Sequence, residues 1–353
     1  MTISYNSGRR IQGTSTDATA VSGGWKELGR HKLTSAGDVI NITSLDNKRY
    51  YMVLQNILGN GAEISPEITF NGDTTQTYPM RRSTDSGSDW TSTTYNYLYN
   101  SYGGTNTDRL IVGYIANKSN KEKLYQHHQS VNVNRSNAGT APSLNKMVGK
   151  WVNTSDSIDQ ITVTNSTAGD FNPDSEVVVL GYDPDDTHTT NFWEQLASVN
   201  GDGTGGFSSG TFTAKKYLWV QTWVDPSASS RNLIRFNDDS SGSNGSTGNY
   251  SVRGSINGAA DATLTSQTSI ESNHTVPLPK FFNMFIINNS ANEKLAIENA
   301  MYVANTGGAG GSPQRVEIAG KWANTSDQIT KIDYIPSTGN YSTDSKMIVW
   351  GSN

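Results

Sequence analysis

Histidine and acidic side chains are the residues of this chain whose types could support metal or acid–base chemistry. None of the histidines stands in a metal-binding or catalytic motif such as His-Glu-x-x-His. His127 and His128 are adjacent, and neighbouring residues of a strand point to opposite faces, so the pair cannot hold one metal ion together. We therefore expect both to be polar positions of a solvent-facing strand. The sequence predicts no metal site and no cofactor.

Acidic residues cluster at three places where carboxylate oxygens could bind calcium. The clusters are Asp183 with Asp185 and Asp186, Asp238 with Asp239, and Asp202 inside a glycine-rich segment. None has the spacing of a calcium-binding loop that ends in Glu, and such residues commonly cap turns instead. No carboxylate pair stands in a recognisable glycosidase setting, and no Gly-x-Ser-x-Gly elbow stands in the strand–helix context that serine catalysis needs. We predict that the protein is not an enzyme.

The composition excludes several classes of protein. The chain has 353 residues, of which 17% are charged and 34% apolar, with 8 Trp, 16 Tyr, 9 Phe and no Cys. So many large rings at a net charge of −5 indicate packed cores rather than disorder. No apolar stretch is long enough to span a membrane, and no basic cluster predicts nucleic-acid binding. Without Cys or a signal peptide, we expect assembly in a reducing host cytoplasm before the protein becomes extracellular.

An internal repeat is the strongest feature of the sequence. The segment 149–156, Gly-Lys-Trp-Val-Asn-Thr-Ser-Asp, returns at 320–327 as Gly-Lys-Trp-Ala-Asn-Thr-Ser-Asp, an offset of 320 − 149 = 171. Matches elsewhere pair Trp25 with Trp193, and the segment 48–50 with 215–217. The retained Trp-x-Asn-Thr-Ser-Asp motif predicts a buried ring followed by a turn. The chain is therefore a duplicated domain.

The repeated segments predict β-structure. Alternating or β-branched runs are separated by Asn-Gly, Gly-Gly and Ser-Gly turns, and 193–198 is the one short helical candidate. We predict an all-β fold of two tandem antiparallel β-sandwich domains, jelly-roll-like, with an extended N-terminal arm. The predicted boundaries are an arm at 1–23, copy one at 24–183, a linker at 184–190 and copy two at 191–353.

The two copies differ most at residues 90–102, where copy one carries five aromatic residues and copy two carries almost none. These ligand- or receptor-binding candidates are Trp90, Tyr95, Tyr97, Tyr99 and Tyr102. Tyr95, Tyr97 and Tyr99 share one strand parity and should line one face, and flat rings with polar neighbours suit sugars or protein partners. A binding surface, a contact between domains or subunits, and ordinary local packing all remain open.

Short motifs give the chain a resemblance to a known kind of protein. The segments 235–255 and 257–269, the closing Gly-Lys-Trp-Ala-Asn-Thr-Ser-Asp-Gln-Ile pattern and the opening Ser-Gly-Arg-Arg-Ile-Gln-Gly resemble a duplicated β-sandwich module. That module occurs in uncharacterised virion structural or surface proteins of marine tailed viruses. The resemblance implies a non-enzymatic virion protein exposed on the particle as a capsid decoration, fibre, spike or tail-associated part.

The N-terminal arm is the predicted docking element, with Arg9, Arg10 and Ile11 as anchoring candidates. The expected partners are other copies of the chain and other virion proteins, with neither nucleic acid nor membrane. A first alternative is a carbohydrate-binding or receptor-binding module that uses the aromatic face of copy one on host glycans. A second is a double jelly-roll capsid protein or an extracellular filament subunit.

Overall fold

The computed structural model describes residues 21–22, 24–100, 104–105, 107–133, 135, 137–184, 186–188, 190–303 and 311–353. Arg9, Arg10, Ile11 and Tyr102 lie outside these residues. The described residues form strands and turns without a helix, so no helix among them is long and apolar enough to cross a membrane.

Of the 28 strands that the structure describes, 24 fall into two series that repeat the same order, and the other four form two small two-stranded sheets. In chain order they are β1 Val21–Ser22, β2 Lys26–Lys32, β3 Val39–Ile42, β4 Tyr50–Leu58, β5 Glu63–Ile64, β6 Pro66–Phe70, β7 Met80–Thr84, β8 Trp90–Ser92, β9 Leu98–Tyr99, β10 Gly104–Thr105, β11 Asp108–Ala116, β12 Lys123–Asn132, β13 Ser143–Trp151, β14 Ile161–Asn165, β15 Glu176–Tyr182, β16 Thr187–His188, β17 Glu194–Asn200, β18 Phe207–Ser208, β19 Tyr217–Val224, β20 Ser230–Phe236, β21 Tyr250–Ile256, β22 Ala262–Gln267, β23 Ile270–Val276, β24 Lys280–Ile287, β25 Lys294–Tyr302, β26 Gln314–Trp322, β27 Ile332–Pro336 and β28 Lys346–Ser352.

Each copy forms a sandwich of one eight-stranded and one four-stranded antiparallel sheet. The sheets of copy one have the orders β2-β15-β4-β11-β12-β13-β7-β8 and β3-β14-β6-β9. Those of copy two have the orders β17-β28-β19-β24-β25-β26-β21-β22 and β18-β27-β20-β23, which repeat the first pair strand for strand. The chain crosses repeatedly between its two sheets, as in a jelly roll. The predicted fold class is confirmed.

The retained Trp-x-Asn-Thr-Ser-Asp motif has the structural role that the sequence indicates. Trp151 and Trp322 each fill a sandwich, and their indole N–H groups donate to Asp73 and Asp239 at 2.7 Å. Asn153 then caps the turn, because its side-chain oxygen accepts hydrogen bonds from the backbone N–H groups of Ser155 and Asp156. Copy two repeats these bonds. The motif needs no ligand to explain it.

One segment differs from its sequence-based prediction. In the helical candidate at 193–198, residues 194–198 instead belong to strand β17, which pairs with the C-terminal strand β28. Long-range pairing outweighs the local pattern there. In addition, β1 and β16 pair with each other, with Val21 opposite His188. The end of the predicted arm and the predicted linker therefore share a two-stranded sheet.

The two eight-stranded sheets pack against each other through their outer faces, forming a third hydrophobic core between the copies. Its described buried members are Met52, Leu54, Leu110, Val112, Val178 and Leu180 from copy one, and Phe192, Trp193, Tyr217, Phe285, Ile287, Leu295 and Ile297 from copy two. Glu176 anchors this contact, since its carboxylate accepts hydrogen bonds from Lys216 at 2.7 Å and from the Tyr217 hydroxyl at 2.8 Å. The strands between the two cores are thus buried on both faces.

Candidate functional site

The structure brings the described aromatic candidates together in one cluster. The ring centroids of Tyr95 lie 5.0 Å from Tyr97, 6.1 Å from Tyr99 and 5.6 Å from Trp90. The guanidinium of Arg82 lies over two of the rings, 4.7 Å from the centroid of Trp90 and 4.4 Å from that of Tyr99. The prediction that these tyrosines share one face agrees with this geometry.

Most of the surface of these rings is buried by contacts within copy one. Tyr95 and Tyr99 pack against the core of copy one, and the Tyr97 hydroxyl hydrogen-bonds to Glu67. Burial, with the neighbouring Glu67 carboxylate, raises the pKa of Tyr97 well above its ordinary value, so its hydroxyl stays protonated. Trp90 is the exposed member of the cluster, at 38%. The rings close one edge of the sandwich and leave little free platform.

An open groove lies on the outer face of the eight-stranded sheet of copy one, beyond the part that copy two covers. It has a volume of about 960 Å³ and is lined by residues of copy one from several strands. Its larger side chains are Trp25, Tyr50, Tyr114, Leu124, Val148 and Tyr182, which we call the groove face. Tyr50 stacks near Tyr182 at 6.3 Å, and Trp25 lies 5.8 Å from Tyr182. Such a volume is typical of a small-ligand site.

The groove face owes its exposure to the packing of the two copies. Its repeat equivalents in copy two include Trp193, Tyr217 and Leu295, all buried in the core between the copies. Tyr217 is 1% exposed, whereas its equivalent Tyr50 is 40% exposed. The same apolar face is therefore covered in copy two and uncovered in copy one. Exposed apolar patches of this kind mark interaction sites.

The charged residues at the rim of the groove are already paired. The Lys150 ammonium lies 2.8 Å from the Glu122 carboxylate, and the Arg81 guanidinium lies 3.0 Å from that of Asp89. Burial raises the pKa of Tyr114, so this hydroxyl is a neutral hydrogen-bonding group. The groove thus offers rings, neutral polar tips and paired charges. This chemistry suits an uncharged ligand with both apolar and polar faces.

Sequence reasoning missed the groove because its residues come from separate strands. Each position is ordinary within its own strand, and only the sheet order places them side by side. The signal that could have found them was the retention of Trp25, Tyr50 and Leu124 in both copies. The candidates Trp90 and Tyr95 lie apart from the groove, because Trp90 and its groove-lining neighbour Thr91 point to opposite faces of β8.

The prediction that His127 and His128 lie on a solvent-facing strand is wrong. Strand β12 is central in its sheet, whose outer face copy two covers near His128, and His127 is buried inside the sandwich beside Tyr125. His128 points the other way and hydrogen-bonds to Asn299 of copy two. Burial, with the adjacent His128, lowers the pKa of His127 to about 3. The two side chains remain on opposite faces, as expected of neighbours.

The described acidic candidates make contacts within the protein. Asp202 caps a turn by accepting the backbone N–H of Thr204 at 2.8 Å, and Asp186 lies 2.7 Å from the Lys48 ammonium. Asp185 lies outside the described residues. Among the residues that the structure describes, no group of three or more His, Asp or Glu side chains is placed to hold a metal ion.

Comparison with known proteins gives likeness at the level of solved structures. No family model and no curated protein matches the chain. The LG1–3 region of the laminin alpha2 chain is similar over 89% of this chain and 64% of that one, at 10% identity and a TM-score of 0.22. Domains LG4–5 of the mouse laminin alpha1 chain are similar over 93% and 90%, at 11% identity and a TM-score of 0.18. At these TM-scores the likeness carries no argument about function.

The fold and the groove together define a class of protein. The chain is a tandem all-β sandwich protein with one sheet face left open, an architecture suited to a binding or structural role.

Proposed function

We propose that this protein is a non-enzymatic binding module that holds neutral carbohydrate in the groove of copy one. The observation that carries the proposal is the groove face itself, an open row of rings on a sheet face that the residues described by the structure leave uncovered. Sugar rings present flat apolar faces and hydroxyl edges, and Trp and Tyr match both. Paired rim charges favour a neutral glycan over an acidic one, since the basic residues described in the lining, Arg81 and Lys150, each already pair with a carboxylate of the protein.

Replacing Tyr50 with alanine is the direct test. Because its ring is 40% exposed, the protein should still fold, and we expect the affinity for neutral glycans to fall about tenfold or more. Binding is first screened on a glycan array and then measured by titration calorimetry. Trp90→Ala is the matched control, as another exposed ring of the same copy on the opposite face of its strand, and should bind as the parent does. Equal losses in the two variants, or no neutral glycan bound, would contradict the proposal.

The sequence resemblance supports a place for this module on a virion surface, where copies of the chain and other virion proteins would be its partners. We propose that the arm, with Arg9, Arg10 and Ile11, docks the module there. Removal of residues 1–20 retains strand β1 and both sandwiches. We expect the full chain to form defined oligomers and the shortened chain to remain monomeric in light scattering and negative-stain microscopy. If both samples are monomers, the arm does not dock one molecule of this protein to another.

A further inference from the structure

The register between the two large sheets shows what lies opposite the groove. At the centre of the contact, equivalent positions of the two copies face each other: the Lys146 ammonium lies 2.5 Å from the Glu317 carboxylate, and 146 + 171 = 317. His128 likewise faces its equivalent Asn299, since 128 + 171 = 299. The centre of the interface therefore behaves as a local twofold axis.

From this centre the two sheets stay in contact in one direction along β12 and separate in the other. Moving along β12 from His128 to Asn132 moves across the interface from Asn299 to Glu293, whose carboxylate accepts a hydrogen bond from Asn132. The opposite direction leads from His128 to Leu124 and from Asn299 to Val303. On that side both faces are open to solvent. The two copies thus form the walls of a cleft, with the groove face on one wall.

The wall of copy two is also apolar and exposed. Its exposed members are Trp223, Met301 and Val303, which face the same side of the sheet as Asn299. Nine large apolar side chains are exposed among the described residues, and six of them belong to these two walls: Tyr50, Leu124, Val148, Trp223, Met301 and Val303. This concentration marks the cleft as an interaction surface on both sides.

Polar groups on the copy-two wall are of the kind that accompanies sugar rings. The indole N–H of Trp219 donates to the side-chain oxygen of Asn283 at 2.6 Å, and that of Trp350 donates to Gln221 at 3.2 Å. These bonds hold amide groups between rings on the outer face of the sheet. An amide is a neutral donor and acceptor. The second wall therefore repeats the chemistry of the first: rings with neutral polar groups.

The two cavities beside the interface differ in which copies line them. The large groove is lined by copy one alone, while a smaller cavity of about 300 Å³ is lined by Gln126, His128 and Lys146 of copy one and by Gly258 and Arg315 of copy two. A short sugar seated in the groove would contact one wall. A longer chain leaving the groove would meet the other.

We propose that the ligand is a neutral polysaccharide chain held between the two copies, with Trp223 and Met301 forming a second subsite opposite the groove. This inference rests on the proposed function and specifies the length of its ligand. Joining two weak subsites through one chain raises affinity without any new contact at either subsite. Duplication of the domain then has a direct consequence, because one face of each copy contributes to one site.

The test uses a size series of the neutral glycan that the array selects, from disaccharide to decasaccharide, titrated into the full chain. We expect affinity to rise about tenfold or more between the short and long members. Trp223→Ala and Met301→Ala should remove that gain and leave disaccharide binding unchanged, whereas Tyr50→Ala should weaken every member of the series. Val39→Ala, an exposed apolar residue away from the cleft, is the matched control.

Two failures are distinguishable in this experiment. If short and long glycans bind the parent equally, or if Trp223→Ala and Met301→Ala retain the gain with length, the second subsite is wrong while the groove remains. If no neutral glycan of any length binds, the proposed function itself is wrong.

Discussion

Replacing Trp322 with alanine should lower the free energy of unfolding by about 3–5 kcal/mol. The ring is 1% exposed, packs 5.8 Å from Phe236 and 6.2 Å from Tyr250, and donates its N–H to Asp239. Its removal leaves a cavity and takes one hydrogen-bond donor from the Asp239 carboxylate, which the Asn249 amide still contacts, and the cavity is the larger cost. Denaturant unfolding, followed by circular dichroism, measures the loss.

The repeat supplies an internal check on this result. Trp151→Ala removes the equivalent ring of copy one, which donates to Asp73 in the same way, and should cost a similar amount. Trp223→Ala removes an exposed Trp from the same copy as Trp322 and should cost about 1 kcal/mol or less. Trp322→Phe, which keeps a ring but removes the indole N–H donor to Asp239, should fall between these values. Equal stability of the Trp322→Ala and Trp223→Ala variants would show that the buried ring is not the centre of its sandwich.

The fold was largely predictable because its signals are local and occur twice. Alternating residues define each strand, and the repeat of Trp151 at Trp322 implies two units of one design. The conformation of Asn71 shows how local chemistry ends a strand: its φ of 52° is left-handed, and its side-chain oxygen accepts the backbone N–H groups of Asp159 and Gln160. Asn237 repeats this arrangement at a φ of 53°. Turns of this kind can be predicted from the sequence.

The candidate site was less predictable because it depends on how the copies pack. Tyr50 and Tyr217 occupy equivalent positions and cannot be distinguished by type, yet one lines the groove and the other is buried. His127 and His128 were misjudged for the same reason, since covering the outer face of a sheet turns an apparently exposed strand into a central one. The difference at 90–102 was conspicuous in the sequence, but those rings mostly contact one another and Arg82. The segment in which the copies differ most forms local packing, whereas the open groove consists of residues that the copies share.

The position equivalent to His127 in copy two is Glu298, since 127 + 171 = 298, and this pair predicts opposite pH dependence in the two sandwiches. Glu298 is fully buried, and neither of its carboxylate oxygens has a hydrogen-bond partner among the described residues. Burial raises its pKa from 4.5 to about 8, so the folded copy keeps the acid neutral. His127, also buried, has its pKa lowered from 6.5 to about 3 and is kept neutral too.

The direction in which stability changes with pH depends on whether the folded or the unfolded chain binds the proton more tightly. Between pH 4.5 and 8 the unfolded chain loses the Glu298 proton while the folded chain retains it, so copy two loses stability as pH rises through this window. Between pH 6.5 and 3 the unfolded chain binds a proton at His127 and the folded chain does not, so copy one loses stability as pH falls. Each effect amounts to about 5 kcal/mol over its full pH window, since each pKa moves by 3.5 (8 − 4.5 and 6.5 − 3) and one pKa unit corresponds to about 1.4 kcal/mol.

Hydrogen exchange read by mass spectrometry separates the two copies, because each peptide reports the opening of its own sandwich. In the parent, core peptides of copy two should exchange faster by opening at pH 8 than at pH 5 after correction for the intrinsic rate, and those of copy one faster at pH 4 than at pH 7. Glu298→Gln removes the titrating group at nearly constant shape and should flatten the profile of copy two alone. Glu194→Gln, at an exposed position of the same copy, should leave both profiles unchanged. A pH-dependent loss in copy two that persists in Glu298→Gln would assign the effect to another group, and parallel profiles in both copies of the parent would contradict the opposed titrations of His127 and Glu298.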